Sequence, residues 1–221
     1  MDYLEAMDII GGLSKPSKMP GFSWSTSAFD CQTGTKLRAV PGSVCSSCYA
    51  CKGNYRFKNV KDAHARRMAG IDHPDFVEAF VLVLNTVYGR MKKTYIKDMV
   101  EIQENRFRWH DSGDIQSLEH LEMINEIAKR TPQLDHWLPT KEAGYVGQFK
   151  KKHGEFVSNL TVRLSAAMVG ETFKKAPMGL PFSAVGVSTG LAQCPAYEQG
   201  GQCLDCNNCW NPNINVSYPL H

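Results

Sequence analysis

Residues 107–114, FRWHDSGD, reveal the architecture of the chain more clearly than any other segment. The aromatic first half is typical of a strand, and Ser112-Gly113-Asp114 has the composition of a turn. Behind the turn, leucine or isoleucine recurs every three residues from 118 to 127, which predicts a helical face that ends before Thr131. The segment and its continuation therefore predict a strand, a turn and a helix in succession.

Similar units occur on both sides of this one. Further strands are predicted at 21–28 (GFSWSTSA), 134–140 (LDHWLPT), 160–166 (LTVRLSA) and 182–189 (FSAVGVST), and further helices at 60–70, 75–91 and 142–153. Strands that alternate with helices imply βαβ crossovers and a mainly parallel sheet. We therefore expect an α/β fold, either a partial (β/α) barrel or an open sheet. Because no repeat or linker interrupts the pattern, residues 1–221 are expected to form a single domain.

The composition is that of a globular protein, with 43% hydrophobic and 21% charged residues in a chain of 221. The first residues are acidic where an export signal would be basic. The longest apolar run, residues 76–88, is interrupted by Glu78 and Asn85 and is shorter than the roughly 20 residues that a membrane helix needs. The sequence predicts a cytoplasmic protein that does not interact with membranes.

Eight cysteines form two groups, one near each end of the chain. The N-terminal cysteine group comprises Cys31, Cys45, Cys48 and Cys51, and the C-terminal cysteine group comprises Cys194, Cys203, Cys206 and Cys209. Each group contains the run CxxCxxC, which in a reducing compartment indicates a metal or redox site rather than disulfides. The loops 31–51 and 194–209 also contain the Gly, Ser and Asn residues that fold a backbone around one centre.

Zinc and iron–sulfur clusters are the two metal centres that fit this spacing. Structural zinc usually takes two separated cysteine pairs, whereas a triple run is typical of cubane clusters. The sequence thus predicts at least one 4Fe–4S cluster, with zinc as the alternative. Two partitions of the thiols stay open, since each end can hold its own centre or both ends can meet around one.

Polar residues follow several of the predicted strands. They are His110, Asp111, Ser112 and Asp114, then Thr140, Lys141 and Glu142, then Arg163 and Ser165, and finally Ser188 and Thr189. Ligands of parallel α/β folds gather where the carboxyl ends of the strands meet, and we therefore expect a small-molecule pocket there. Lys141 and Glu142 form either an acid–base pair or an exposed ion pair.

The segment Lys52–Arg67 contains six basic residues and one acid, Asp62. This charge distribution indicates either a solvated helix face or a surface that contacts nucleic acid or a host protein. The overall formal charge of +3 does not decide between them.

A strand that runs into a three-cysteine loop, followed by a strand that ends in Ser112-Gly113-Asp114, resembles the core of radical S-adenosylmethionine enzymes. The resemblance implies a partial barrel and a bound S-adenosylmethionine (SAM). If one iron is open to SAM, the polarity and position of four residues suggest contacts: Asp114 to the ammonium group, His110 and Arg163 to the carboxylate, and Tyr49 to the adenine. The alternative is that His110 packs in the core and Asp114 caps the helix that begins near Ile115. Two departures are the two-residue spacing between Cys45 and Cys48 and the aspartate in place of glutamate.

A closer resemblance covers nearly the whole chain. Five long strings carry it: CQTGTKLRAVPGSVCSSCYACKGNY (31–55), FRWHDSGDIQSLEHL (107–121), HWLPTKE (136–142), NLTVRLSA (159–166) and CPAYEQGGQCLDCNNCW (194–210). They are similar to the phage-encoded family named gene product 88, whose pattern matches every cysteine except Cys51. This resemblance implies a viral protein in the cytoplasm of an infected host cell and implies no particular reaction.

Two functions follow as hypotheses. The first is a phage iron–sulfur protein of radical-SAM-like architecture, which performs electron transfer or radical chemistry during infection. The second is a metal-stabilised module that binds nucleic acid or a host protein without catalysis. The sequence assigns no catalytic residue and leaves open whether the protein is an enzyme.

Overall fold

The computed structural model describes residues 1–91, 94–97 and 100–220. The helices are α1 (Tyr3–Ile9), α2 (Gln32–Arg38), α3 (Lys58–Gly70), α4 (Phe76–Gly89), α5 (Leu118–Arg130) and α6 (Ala143–His153). The strands are β1 (Phe22–Trp24), β2 (Thr94–Lys97), β3 (Val100–Gln103), β4 (Arg106–Trp109), β5 (Asp135–Thr140), β6 (Leu160–Ser165), β7 (Phe182–Val185), β8 (Ala192–Gln193) and β9 (Val216–Tyr218).

Seven strands form one parallel sheet in the order β1-β4-β5-β6-β7-β9-β8, and β2 pairs with β3 as a separate antiparallel hairpin. The predicted α/β class and parallel sheet are confirmed. The sheet is open, because its edge strands β1 and β8 do not pair with each other. From β4 to β7 neighbouring strands follow the chain order, so right-handed crossovers place α5 and α6 on the same side of the sheet.

Alternating residues of β4 separate the two faces of the sheet. Phe107 and Trp109 point toward the helices, with ring centroids 5.8 and 4.7 Å from that of Phe80 in α4. Arg106 and Arg108 point away from the helices, toward Trp210 and Trp137 respectively. The sequence RFRW thus alternates between an apolar core and a second, polar face.

The helix-side core contains Trp24 of β1, which is fully buried. Its indole nitrogen donates to the carbonyl of Ile10, and its ring meets those of Phe76 and Phe80 edge to face. The predicted apolar face of α5 also packs here, with Leu121, Ile124 and Ile127 fully buried. Each such side chain stabilises the fold by about 1.5–3 kcal/mol relative to an exposed position.

The second face of the sheet is covered by residues 194–214, which we call the C-terminal segment. Trp210 is its central contact: the indole donates to the carbonyl of Phe107 at 3.1 Å, and its ring lies 5.2 Å from that of Trp137. Thr161 of β6 donates to the carbonyl of Trp210 at 2.7 Å. The C-terminal cysteine group is therefore held against the sheet rather than in a detached tail.

Most predicted elements occur close to their expected positions, and several others were missed. The missed elements are α1, α2, the β2–β3 hairpin, β8 and β9. The C-terminal strand β9 lies between β7 and β8, so the last part of the chain returns into the sheet. In the part of the chain that the model describes, no helix is long and apolar enough to cross a membrane.

Candidate metal centre and strand-end site

The N-terminal cysteine group lies in a loop that crosses the carboxyl ends of three central strands. Beyond β4, the Tyr49 hydroxyl donates to the carbonyl of Asp111. Beyond β6, the backbone N–H of Val44 donates to the carbonyl of Ala167 at 2.8 Å. These contacts place the cysteine loop where ligands of parallel α/β folds are found.

Glu142, at the end of β5, anchors the start of α2. Its carboxylate accepts hydrogen bonds from the backbone N–H and the hydroxyl of Thr33, at 2.8 and 2.7 Å. Lys141 turns elsewhere and donates to the carbonyl of Ala166. Glu142 is buried, and the two side chains form neither the acid–base pair nor the exposed ion pair considered from the sequence. Instead, Glu142 fixes Thr33, two residues after Cys31, and thereby orients Cys31.

Gly34 in α2 leaves space between two thiols. A Cβ at this position would lie 2.9 Å from the Cβ of Cys31, 3.6 Å from its sulfur and 3.7 Å from the sulfur of Cys45. Contacts below 3.0 Å do not occur without displacement of a neighbour. Both sulfur atoms therefore border one small space that any larger residue would fill.

The C-terminal cysteine group is held by arginines from the sheet. Arg106 donates to the carbonyl of Cys206 at 3.2 Å. Arg163 donates to the carbonyls of Asn208 and Asn211 at 3.0 Å and of Ile214 at 2.6 Å. These bonds run from the polar face of the sheet to the backbone around Cys206 and Cys209.

Arg106, Arg108 and Arg163 form a cationic layer beneath the C-terminal segment. Arg106 and Arg163 are 3% and 0% exposed. Within residues 1–91, 94–97 and 100–220, none of the three has a carboxylate oxygen within salt-bridge distance. The charges of Asp135 and Asp205 act on Arg106 from a greater distance, and that of Asp111 acts on Arg108. Buried cations that are only partly compensated are costly. The arrangement therefore suits an anionic centre in the segment above them.

All eight cysteines are free thiols and are partly shielded from solvent. Burial raises the pKa of Cys203 to about 12, and burial followed by the charge of Asp114 raises the pKa of Cys31. A thiol that stays protonated at neutral pH is a poor nucleophile, so these surroundings do not suit thiol–disulfide exchange. A bound cation reverses this preference because it favours the thiolate.

Within the described ranges, no three cysteine, histidine or carboxylate side chains are arranged as ligands of a single metal ion. The thiols are nonetheless neighbours within each group. The charges of Cys45 and Cys48 act on Cys31, and those of Cys194 and Cys209 act on Cys203. The donor chemistry thus fits a thiolate-bound centre, while the separations are not those of one tetrahedral ion.

Asp114 is deeply buried at the carboxyl end of β4. Its carboxylate accepts hydrogen bonds from the Thr140 hydroxyl at 2.6 Å and from the backbone N–H groups of Ile115 and Lys141 at 2.8 Å. Burial raises its pKa to about 6, and these three donors act in the opposite direction. Asp114 therefore connects the ends of β4 and β5. Gly113 makes this possible, because its φ of 76° and its contact with Thr26 leave no room for a side chain.

His110 adopts a φ of 55°, a left-handed conformation that is uncommon outside glycine. It is 3% exposed, and burial lowers its pKa to about 3. The Ser112 backbone lies close enough to act on the His110 ring, but neither ring nitrogen makes a hydrogen bond of good geometry among the described residues. Thr26 Oγ1, Ser112 Oγ and His120 Nε2 are likewise without a partner among those residues. Strain and unpaired buried polar atoms often mark functional positions, so this strand end is the best candidate for a small bound molecule.

The four residues predicted to bind a cofactor do not converge. Tyr49, with half of its surface exposed, lies with His110 and Asp114 near the end of β4. Arg163 lies on the polar face of the sheet, away from the helices, and its guanidinium donates hydrogen bonds to backbone carbonyls. Arg108 lies between the two cysteine groups: it contacts the Tyr49 hydroxyl at 3.5 Å, and the charge of Cys209 acts on it.

Sequence reasoning missed Arg106, Arg108 and the anchoring role of Glu142. The signal for the arginines was present, because charged residues at alternating positions of a central strand predict a second face that is not apolar. The partner of Glu142 lies 109 residues away, and no local pattern indicates such a contact.

An open parallel sheet with one four-cysteine group at its strand ends and another across its polar face defines the chain as a cysteine-rich α/β protein. The model of the family described as gene product 88 matches residues 17–212. The chain therefore belongs to this family of phage proteins. No curated protein and no solved structure matches it.

Proposed function

We propose that this chain is a phage iron–sulfur protein that transfers electrons in the cytoplasm of the infected host cell. The N-terminal cysteine group would bind a 4Fe–4S cluster, and the C-terminal cysteine group would hold a second metal–thiolate centre. The supporting observation is that four thiols are neighbours at each of two places against the sheet. When bound, a 4Fe–4S cluster supplies one-electron redox chemistry.

Two observations favour electron transfer over radical chemistry. Cys51 lies in the same loop as Cys31, Cys45 and Cys48, so the N-terminal cysteine group offers a thiolate for each of four irons. Such a site leaves no iron open for SAM. Asp114, the expected partner of the SAM ammonium group, already accepts three hydrogen bonds from its own chain.

The arrangement of β1 and β4 supports a core of radical-SAM-like architecture. β1 leads into the loop with the N-terminal cysteine group, and it pairs in parallel with β4. β4 in turn ends in Ser112-Gly113-Asp114. We propose that this architecture positions a cluster at the strand ends without the SAM chemistry of those enzymes.

The positive charge of the arginine layer favours a negatively charged metal–thiolate centre in the C-terminal cysteine group. Four thiolates on a centre of charge +2 carry a net charge of about −2, which is stabilised by nearby cations. Arg106, Arg108 and Arg163 supply three positive charges, and Arg106 and Arg163 also hold the backbone on which the thiols lie. Loss of this centre would leave Arg106 and Arg108 with only the more distant carboxylates of Asp135, Asp205 and Asp111 as counter-charges.

Zinc is the alternative metal for either group. With Zn–S bonds of 2.3 Å, tetrahedral geometry places sulfur atoms roughly 3.8 Å apart. A cubane binds one cysteine at each iron and so separates the thiols further. The triple CxxCxxC runs, which are typical of cubane ligation, favour the cubane.

Analysis of protein purified without oxygen tests this function. We expect iron and acid-labile sulfide in equal amounts and a broad absorbance near roughly 400 nm that bleaches on reduction. Colourless protein with zinc, or protein with neither iron nor sulfide, would contradict the proposal.

Gly34→Ala tests whether the space between Cys31 and Cys45 is the cluster site. The added methyl group should displace a thiol and lower the iron content of the N-terminal cysteine group, although alanine itself favours a helix. Gly144→Ala in α6 is the matched control, since a Cβ there meets nothing within 4 Å. Equal iron in both variants would argue against this site.

The iron content of variants that each lack one cysteine shows how many metal centres the chain holds. If each group holds its own iron centre, Cys45→Ser and Cys206→Ser should each remove about half of the iron, and the double variant nearly all of it. Complete loss in either single variant would indicate one shared cluster instead.

A further inference from the structure

The basic segment Lys52–Arg67 divides into an exposed part and a structural part. Lys52, Arg56, Lys58, Lys61 and Arg66 are exposed. Arg67 is 4% exposed and donates to the carbonyl of Gly12 at 3.0 Å and to the hydroxyl of Ser14 at 2.9 Å. Lys58 pairs with Asp62 at 2.6 Å, so four exposed cations without such a pair among the described residues are available to a partner.

Aromatic rings lie among these cations. Phe57, which directly precedes α3, is 59% exposed, and Phe29 is 53% exposed. The guanidinium of Arg38 lies 5.0 Å from the centroid of the Phe29 ring. Exposed aromatic rings bordered by positive charge combine a stacking surface with cations.

A cleft of about 210 Å³ lies between the Phe29 ring and α3. Phe29 and Tyr55 line one part of it, and Lys61, His64 and Ala65 of α3 line another. Phe57 precedes Lys61 by four positions and so lies near the same side of α3. We call this region, from Phe29 across the cleft to Phe57 and the exposed cations, the basic aromatic surface.

We propose that the basic aromatic surface binds single-stranded nucleic acid. Its five exposed cations outnumber the acids Asp30 and Asp62, which suits a phosphate backbone. Unpaired bases stack on aromatic rings, whereas the bases of a duplex are already stacked on each other. This inference rests on surface residues and is independent of which metal the cysteines bind.

Fluorescence anisotropy with the metal-loaded intact protein tests the proposal. The probes are labelled single-stranded DNA and RNA of about 20 nucleotides and a duplex of the same length. We expect both single strands to bind more tightly than the duplex, with affinity falling between about 50 and 200 mM salt. The stronger of the two single strands identifies the natural class of ligand.

Two sets of substitutions distinguish the contribution of base stacking to binding from that of positive charge. Phe57→Ala should weaken single-strand binding about 5- to 150-fold. The pair Arg56→Ala and Lys61→Ala should reduce the slope of log affinity against log salt by about 1.4. The control pair, Lys129→Ala and Lys151→Ala, removes two exposed cations from α5 and α6 and should change neither quantity. Unchanged iron content and melting temperature would confirm that each variant folds.

Three results would overturn the proposal. The first is no binding of either single strand at about 50 mM salt. The second is equal weakening by the surface and control variants. The third is tight binding of poly-glutamate that Phe57→Ala leaves intact, because this would indicate an acidic protein partner.

Discussion

Arg163 lies in the middle of β6 with its side chain fully buried. It donates to carbonyls of Phe182, Asn208, Asn211 and Ile214. Arg163→Met should leave several of these acceptors unpaired and lower the free energy of unfolding by about 3 kcal/mol or more. Urea denaturation measures the change. Arg163→Lys should recover only part of it, because an ammonium group lacks the planar fork. A loss no larger than that of the exposed Arg66→Met would refute this role.

His136 is fully buried, and burial lowers its pKa to about 3. It accepts a hydrogen bond from the Trp109 indole at 3.3 Å and contacts the Thr131 hydroxyl at 2.9 Å. Since its pKa in the unfolded chain is 6.5, His136 stabilises the neutral-pH fold. That contribution is present above pH 6.5 and is lost as the pH falls toward 3.

His136→Asn should therefore reduce the pH dependence of stability between pH 6 and 4 by up to about 1.4 kcal/mol per pH unit. Urea unfolding at several pH values measures this slope for the variant and the original chain. His73→Asn, at an exposed position, is the control and should leave the slope unchanged. A slope in His136→Asn equal to that of the control would show that His136 titrates normally in the fold.

At the scale of elements, the contact between Glu142 and α2 joins the end of β5 to the N-terminal cysteine group. Glu142→Ala removes both acceptors of Thr33. We expect a loss of about 1–2 kcal/mol in stability and faster release of iron to a chelator. Glu142→Gln should be milder, because its amide oxygen still accepts one of the bonds. If Glu142→Ala releases iron at the original rate, the contact with Thr33 does not support the proposed metal site.

At the scale of the whole molecule, the two faces of the sheet are stabilised differently. The helix-side face packs an apolar core, whereas the polar face depends on the C-terminal segment and its cysteines. Removal of the proposed metal centre of the C-terminal cysteine group should therefore expose residues 194–214 to hydrogen exchange while β4 to β6 stay protected. Mass spectrometry of the metal-loaded and metal-free protein measures this difference. Uniform loss of protection would show instead that the metal stabilises the entire fold.

Much of the fold was predictable because the local periodicity of apolar residues specifies its strands and helices. β4, α5, β5, α6 and β6 were expected within a few residues of their observed bounds. The short strand β9 was missed, since three residues carry too little pattern and its pairing is decided by β7 and β8. The backbone acceptors of Arg163 were not foreseen for a similar reason: its charge is visible in the sequence, but its acceptors are not.

The sequence alone determined the class of the sheet, the positions of its central strands and the grouping of the cysteines. These depend on spacing over a few residues, which folding preserves. Only the tertiary structure decided that the C-terminal segment covers the polar face, that Glu142 holds α2, and that three arginines lie beneath thiols. Arg163 and its acceptor Asn208 are 45 residues apart. Contacts at such separations arise from the packing of the whole chain, because each polar group that is buried must find whichever partner the fold brings to it.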